Sequence, residues 1–446
     1  MASPAPLDTS EPDPTVADLI AARPHLSMHA MDGLVLEDVP LSAIADALGT
    51  PVWVYGAGTM RGRLAGLTAA LDGLNVHVHY AVKANDHLAV LRLLAGGGAG
   101  ADVVSIGELR RARHAGIAGR DIVFSGVGKT HAEIRAALEA GVGQLNVESA
   151  AELAMISAAA SALGVTAQVA LRINPDVDAG THAKITTGRA DNKFGIPFDD
   201  AAALYAHAAS LPGVQPVGIA LHIGSQILST APYRAAYARA AEMVRTLRAQ
   251  GQTVSVVDCG GGLGIGYRDT PGLPPAAFAG ALRAAFGGLG VELMVEPGRW
   301  LVGPAGLLLA SVVLTKGDER FVVLDAAMND LVRPAMYDAY HAIVPLASGN
   351  AVGPVRNVDI VGPVCESGDT FARGRALPAV AAGDRVAILD AGAYGAVMSS
   401  TYNARGLAPI ALVDGSRWAV IRPRQEPEDL WRNESIPDFI TPDVVT

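Results

Sequence analysis

The sequence predicts an α/β protein, a (β/α)8 TIM-type barrel joined to a β-rich domain, and two observations carry that expectation. Short apolar runs and alanine-rich helical segments alternate about eight times between Val76 and Glu296, and so many β–α units in succession favour a closed parallel barrel over an open sheet. After Pro304 the alternation stops, and strand-like runs follow one another through turns rich in Gly, Pro and Asp. The expected division is a flexible tail over 1–24, a barrel over 51–304, and a β-rich domain, Greek-key or barrel-like, made from 25–50 and 305–446.

Taken in order, Gly33–Tyr55 mixes short strand-like runs with a helical Leu41–Leu48, and Ala57–Leu71 reads as a helix. The barrel strands are expected at Val76–Val82, Ala101–Ser105, Asp121–Ser125, Gln144–Glu148, Ala167–Asn174, Pro216–Ser225, Ser255–Asp258 and Glu292–Glu296. Helices fall between them at His87–Leu94, Glu108–Ala115, His131–Ala140, Ala150–Leu163, Asp199–Ser210, Tyr233–Ala249 and Ala276–Phe286. Beyond Pro304, Leu307–Thr315 and Arg320–Asp325 form a hairpin around Lys316–Glu319. Further strands follow at Asp359–Val361, Arg385–Leu389, Ile410–Val413 and Trp418–Ile421.

Composition narrows the classes of function. Half of the 446 residues are hydrophobic and 17% are charged, which suits a large buried core. A net charge of −10 with no Lys/Arg block argues against a nucleic-acid partner. Two cysteines, Cys259 and Cys365, make no disulfide framework and fit a reducing cytoplasm. Met1–Thr15 lacks the basic and apolar regions of a signal peptide. The most apolar run, Trp300–Thr315, is interrupted by Gly303, Pro304 and Gly306 and is too short to span a bilayer. A soluble protein without a membrane partner is expected.

The chemistry gathers where strands end. Lys83, in Tyr80-Ala-Val-Lys-Ala-Asn85, stands where the first barrel strand opens into a loop. A lysine held there in a cleft can be desolvated, lose its proton near neutral pH and attack a carbonyl to form a Schiff base. Asp102, Ser105 and Glu108 follow the second strand, Arg172 and Asn174 end the fifth, and His222-Ile-Gly-Ser-Gln226 ends the sixth. Asp258-Cys-Gly-Gly-Gly262 ends the seventh and Glu296-Pro-Gly-Arg299 the eighth. Glycine-rich turns let backbone N–H groups approach a phosphate. Each element alone is weak, but together on one barrel face with a lysine they describe a phosphate-bearing aldehyde cofactor. No Gly-x-Gly-x-x-Gly unit opens a helix in the way a dinucleotide requires, and no metal site is expected.

These stretches, with Asn146–Ser149, Arg172–Asp178, Asn192–Gly195, Cys365-Glu-Ser-Gly-Asp369 and Asp390-Ala-Gly-Ala-Tyr394, closely resemble the diaminopimelate decarboxylases, of the fold-type III pyridoxal-phosphate group. The resemblance runs in unbroken order from about Gly33 to Trp431. It implies decarboxylation of meso-2,6-diaminopimelate to L-lysine and CO2 by a homodimer with shared active sites. It implies that Lys83 carries pyridoxal 5'-phosphate, with Asp102, Arg172 and Tyr394 beside it. Glu296 would bond the ring nitrogen and His222 would stack on the ring. Gly224, Ser225, Gly260, Gly261, Gly262 and the Glu296-Pro297-Gly298-Arg299 turn would hold the phosphate. Arg299 and Arg333 would take the distal carboxylate, Glu366 the distal ammonium, and Tyr337 and Tyr394 would complete the pocket. Cys365 would return the proton to Cα from the neighbouring subunit. The stretch Ala404-Arg-Gly-Leu-Ala408 departs from the family pattern, which leaves a related basic or carrier-bound amino acid as the alternative substrate.

Overall fold

The computed structural model describes residues 13–178 and 194–440. Of the motifs above, Asn192 and the residue after it lie outside them. Eight parallel strands close a barrel: β1 Val76–Ala81, β2 Gly100–Val103, β3 Ile122–Phe124, β4 Gln144–Val147, β5 Ala167–Asn174, β6 Val214–Ala220, β7 Val256–Asp258 and β8 Glu292–Val295. Closure is explicit in the register, since β8 lies parallel to β1 with Leu293 opposite Val76 and Val295 opposite Val78. A two-residue strand, Ile196–Pro197, lies alongside β5.

Short sequence signals fix how each strand hands over to its helix. Ser105, Thr130 and Ser149 cap the helices Ile106–His114, His131–Glu139 and Ala150–Leu163, each accepting from the N–H of a glutamate three residues on. Those glutamates also reach back. Glu108 accepts from Val104 N–H and Glu152 from Glu148 N–H, both at 2.8 Å, so the strand ends are fixed by the start of the following helix. The eighth barrel helix, Arg299–Val302, has only four residues because the chain leaves for the second domain. The helix Ala57–Ala70, which precedes β1, packs instead against Pro275–Phe286.

The second domain is threaded from both ends of the chain. Val52–Gly56 pairs antiparallel with Gly306–Lys316 and parallel with Ile410–Asp414. Gly306–Lys316 also pairs with Arg385–Ile388 and, past a shift in register, with Phe321–Leu324. The expected hairpin around Lys316–Glu319 is therefore present. Val52–Gly56 corrects the sequence-based boundary at residue 51, because its hydrogen bonds are made in the β domain and not in the barrel. The reason is visible in its side chains. Val52 and Val54 face a core with Leu307, Leu309 and Val413, whereas Trp53 and Tyr55 face the core shared with the barrel helices. A strand buried on both faces shows no polar alternation, so its sheet could not be read from its pattern.

The expected tail is also corrected for its described part. Val16–Ala21 is a helix with a reciprocal Thr15–Asp18 capping box. Arg23, only 4% exposed, is ion-paired with Asp390 at the head of the Asp390–Tyr394 turn. Among the described residues no helix is long and apolar enough to cross a membrane.

Candidate active site

The C-terminal ends of the barrel strands, roofed by segments of the β domain, enclose a cavity of about 640 Å³. Lys83, Arg172, His222, Ser225, Glu296 and Arg299 line it from the barrel. Arg333, Tyr337 and Tyr394 line it from the β domain. Gly224, Gly260–Gly262, Pro297 and Gly298 lie in the adjoining turns of β6, β7 and β8, and Asp102 lies behind Lys83. Cys365 and Glu366 do not line the cavity and are exposed on this chain.

Lys83 sits in the single 3-10 turn Val82–Ala84 that ends β1. The turn is held from two sides. Ala81 N–H donates to Pro297 O at 3.2 Å, and Tyr394 N–H donates to Ala84 O at 2.8 Å. Asn85 adds a bond from Nδ2 to Gly392 O at 3.2 Å. Lys83 Nζ lies 3.4 Å from Oδ2 of Asp102, whose carboxylate is fully buried in β2. Burial pulls the lysine's pKa down, but Asp102, Tyr394 and Glu296 outweigh it and leave the ammonium more firmly protonated than usual. This corrects the expectation that desolvation alone would free the amine near neutral pH.

Beyond the lysine lies a buried acid cluster. Asn146 Nδ2 donates to Asp258 Oδ2 at 2.8 Å and to Ser125 Oγ at 3.0 Å. Ser125 Oγ in turn faces Glu296 Oε1 at 3.5 Å. Burial, with the charges of Asp102 and Asp258 added, pushes the Glu296 carboxyl well up from the usual carboxylate range. Burial, with Lys83 and Arg172 nearby, keeps His222 neutral. Arg172 is braced by Glu148 at 2.6 Å, and the other oxygen of Glu148 accepts from Gly195 N–H at 2.8 Å.

The Gly260–Gly262 turn has no room for side chains. A Cβ at these three positions would lie 2.2, 2.0 and 2.4 Å from the carbonyl oxygens of Leu221, Glu296 and Gly224, and Gly260 and Gly262 have positive φ. Across the cavity two guanidiniums converge. Arg299 donates through Nη1 to Tyr267 Oη at 2.6 Å and through Nη2 to Ser225 Oγ at 3.1 Å, while its buried Nε has no partner among the described residues. Arg333 donates through Nη1 to His341 Nε2 at 2.7 Å. Among the described residues no carboxylate lies within 4.0 Å of either guanidinium.

Sequence reasoning assigned no role to Ser125, Asn146, Asp258, Tyr267 or His341. Asn146 and Asp258 carried a signal, since each is a polar residue inside an apolar strand run. Tyr267 and His341 sit in loops and carried none beyond their identity.

Residues 58–303 match the family model described as pyridoxal-dependent decarboxylase, pyridoxal binding domain. The chain is 50% identical over 411 residues to the diaminopimelate decarboxylase of Zymomonas mobilis, covering 90% of this chain and 96% of that one. It is 45% identical over 407 residues to the enzyme of that name from Pseudomonas aeruginosa, covering 90% and 97%. The crystal structure of diaminopimelate decarboxylase from Helicobacter pylori complexed with L-lysine superposes with a TM-score of 0.86 at 39% identity, covering 88% of this chain and 99% of that one.

Proposed function

The chain belongs to the diaminopimelate decarboxylases, within the pyridoxal-dependent decarboxylase family, and on that premise we propose how its residues divide the conversion of meso-diaminopimelate to L-lysine and CO2. The site fits pyridoxal phosphate. A turn with no space for Cβ atoms lets a phosphate approach its backbone closely, with Gly260 N–H held by Asp258 and Gly262 N–H left to donate. A buried acid stands ready for a ring nitrogen, and a lysine lines the same cavity. When bound, the cofactor supplies an electron sink for the carbon that loses CO2.

Lys83 holds the cofactor through Nζ, and Asp102 orients that amine. Glu296 would hold the ring nitrogen, and His222, kept neutral by burial, would stand against the ring. Ser225, Gly224, the Gly260–Gly262 turn and the amides of Gly298 and Arg299 would take the phosphate, beside Pro297, with Arg172 and Tyr394 at the edges. The Glu296 amide is spent on Gly260 O, so only its turn contributes. The distal carboxylate of the substrate lies on Arg299 and Arg333, beside Tyr337. Cys365 Sγ of a second subunit returns a proton to Cα, and Glu366 of that subunit receives the distal ammonium. The protein is accordingly a homodimer. Two unpaired cysteines fit a cytoplasmic setting.

The observation that carries the substrate assignment is the pair of buried guanidiniums with no carboxylate partner among the described residues. Two such cations in one cavity repel each other and are offset by an anion, which a distal carboxylate supplies in bidentate form. The unusual stretch Ala404–Ala408 does not line the cavity within one chain. The test is CO2 release by the loaded protein with meso-diaminopimelate, ornithine, arginine and lysine supplied separately. Release confined to diaminopimelate is expected. Arg333→Ala should retain the cofactor and lose on the order of a hundredfold in kcat/KM, as truncating a buried charge contact does. Normal turnover by that variant would overturn the distal-carboxylate assignment.

A further inference from the structure

His341 stands behind Arg333 and is only 1% exposed. Its two ring nitrogens face chemically opposite neighbours. Nδ1 lies 2.8 Å from Leu389 O, a carbonyl that can only accept, so Nδ1 carries the hydrogen. Nε2 lies 2.7 Å from Arg333 Nη1, which can only donate, so Nε2 presents its lone pair. The tautomer is thus dictated by the two partners. The surroundings fix the ring further: Tyr267 packs against it edge-on at 5.2 Å and 79°, and Arg375 Nη1 donates to His341 O at 2.8 Å.

An arginine in a binding site is usually oriented by a carboxylate, which aligns the guanidinium but also cancels its charge before the ligand arrives. Here the acceptor carries no charge. Tyr267, the acceptor for Arg299, offers a hydroxyl in place of a carboxylate and lies within cation–π distance of both guanidiniums, at 5.9 and 5.1 Å. The site therefore fixes two cations without neutralising either. We propose that His341 is a positioning residue that orients Arg333 through a neutral acceptor, leaving the full guanidinium charge to select ligands bearing a distal carboxylate. This rests on the assignment of Arg333 to that carboxylate.

Holoenzyme binding of L-lysine, which keeps the distal carboxylate, is compared with that of cadaverine, which lacks it. Dissociation constants are read from the change in cofactor absorbance for native, His341→Gln, His341→Leu and His341→Glu proteins. His341→Gln retains a neutral acceptor and is expected within threefold of native for both ligands. His341→Leu and His341→Glu should each weaken L-lysine tenfold or more and leave cadaverine within threefold. Equal weakening of both ligands, or L-lysine binding at native strength in His341→Leu, overturns the proposal. If His341→Leu fails to fold, the contrast between Gln and Glu decides, and equal L-lysine affinity in those two overturns it. Arg333→Ala separates the two levels: unchanged L-lysine affinity there refutes the role of Arg333 itself, whereas loss there with no effect at His341 refutes only the positioning role.

Discussion

Glu108 serves the barrel's construction while sitting among the charges around Lys83. Its carboxylate accepts from Val104 N–H, and its own N–H donates to Ser105 Oγ at 3.2 Å. Burial, opposed by the Val104 hydrogen bond and assisted by Asp102, raises its pKa to about 7. An acid whose folded pKa is raised binds more protons folded than unfolded, so its contribution to stability is present at low pH and is lost as pH climbs from its ordinary value through about 7. Glu108→Gln, which imitates the neutral acid, should therefore gain on the native chain between about pH 5 and pH 8, by a few degrees in melting midpoint. Midpoints that differ equally at both pH values would show that Glu108 is not titrating there. The same neighbourhood marks the limit of reading single residues. Lys83 stood out as the proposed reacting amine only when its place at a strand end was taken together with the polar residues at the other strand ends and the family resemblance. Its protonation was not, because Asp102 and Glu296 come from β2 and β8 and meet it only once the barrel closes. His341 was less legible still, since its partner carbonyl at Leu389 is 48 residues away.

At the scale of elements, the turns after β6, β7 and β8 act as one unit. The Gly261 position faces Glu296 O so closely that any side chain must displace the turn, the acid or both. Gly261→Ala is expected to lower pyridoxal-phosphate affinity on the order of tenfold or more while leaving the barrel folded, since the strain is confined to a loop. Spectroscopic titration of the cofactor measures this. Gly280→Ala is the matched control: it lies inside the helix Pro275–Phe286, an added Cβ meets nothing within 4 Å, and affinity should not change. Native affinity in Gly261→Ala would remove the turn from the cofactor site. Much at this scale could be read in advance. The β–α alternation announced the barrel, and the helices expected from His131 and Ala150 begin there, whereas the one expected from Glu108 begins at Ile106, after the Ser105 cap. What could not be read was the strand Val52–Gly56, whose two faces are both apolar because it separates two cores.

At the scale of the whole molecule, the loop that carries Cys365 and Glu366 bears on the proposed dimer. Asp369, 3% exposed, accepts from Val364 N–H at 2.8 Å and from Met328 N–H at 2.7 Å. Gly362 is needed because a Cβ there would meet the Asp369 carboxylate at 2.3 Å. Cys365 N–H donates to Asn403 Oδ1 at 3.2 Å. The loop is thus ordered by its own contacts, yet it turns Cys365 and Glu366 outward, away from the cavity that holds Lys83. An ordered loop that exposes a thiol and a carboxylate is what a shared site between two copies requires, each copy completing the other's cavity. This has a quantitative consequence. Lys83→Ala and Cys365→Ala should each be nearly inactive alone. Dissociated, mixed in equal amounts and reassociated at random, half of the dimers pair one defect with the other, and one of their two sites combines a native lysine with a native thiol. About a quarter of native activity should return. Mixtures that stay as inactive as their parents, with subunit exchange verified by mass, would place Lys83 and Cys365 in the same subunit's site and require the Cys365 loop to move toward its own cavity.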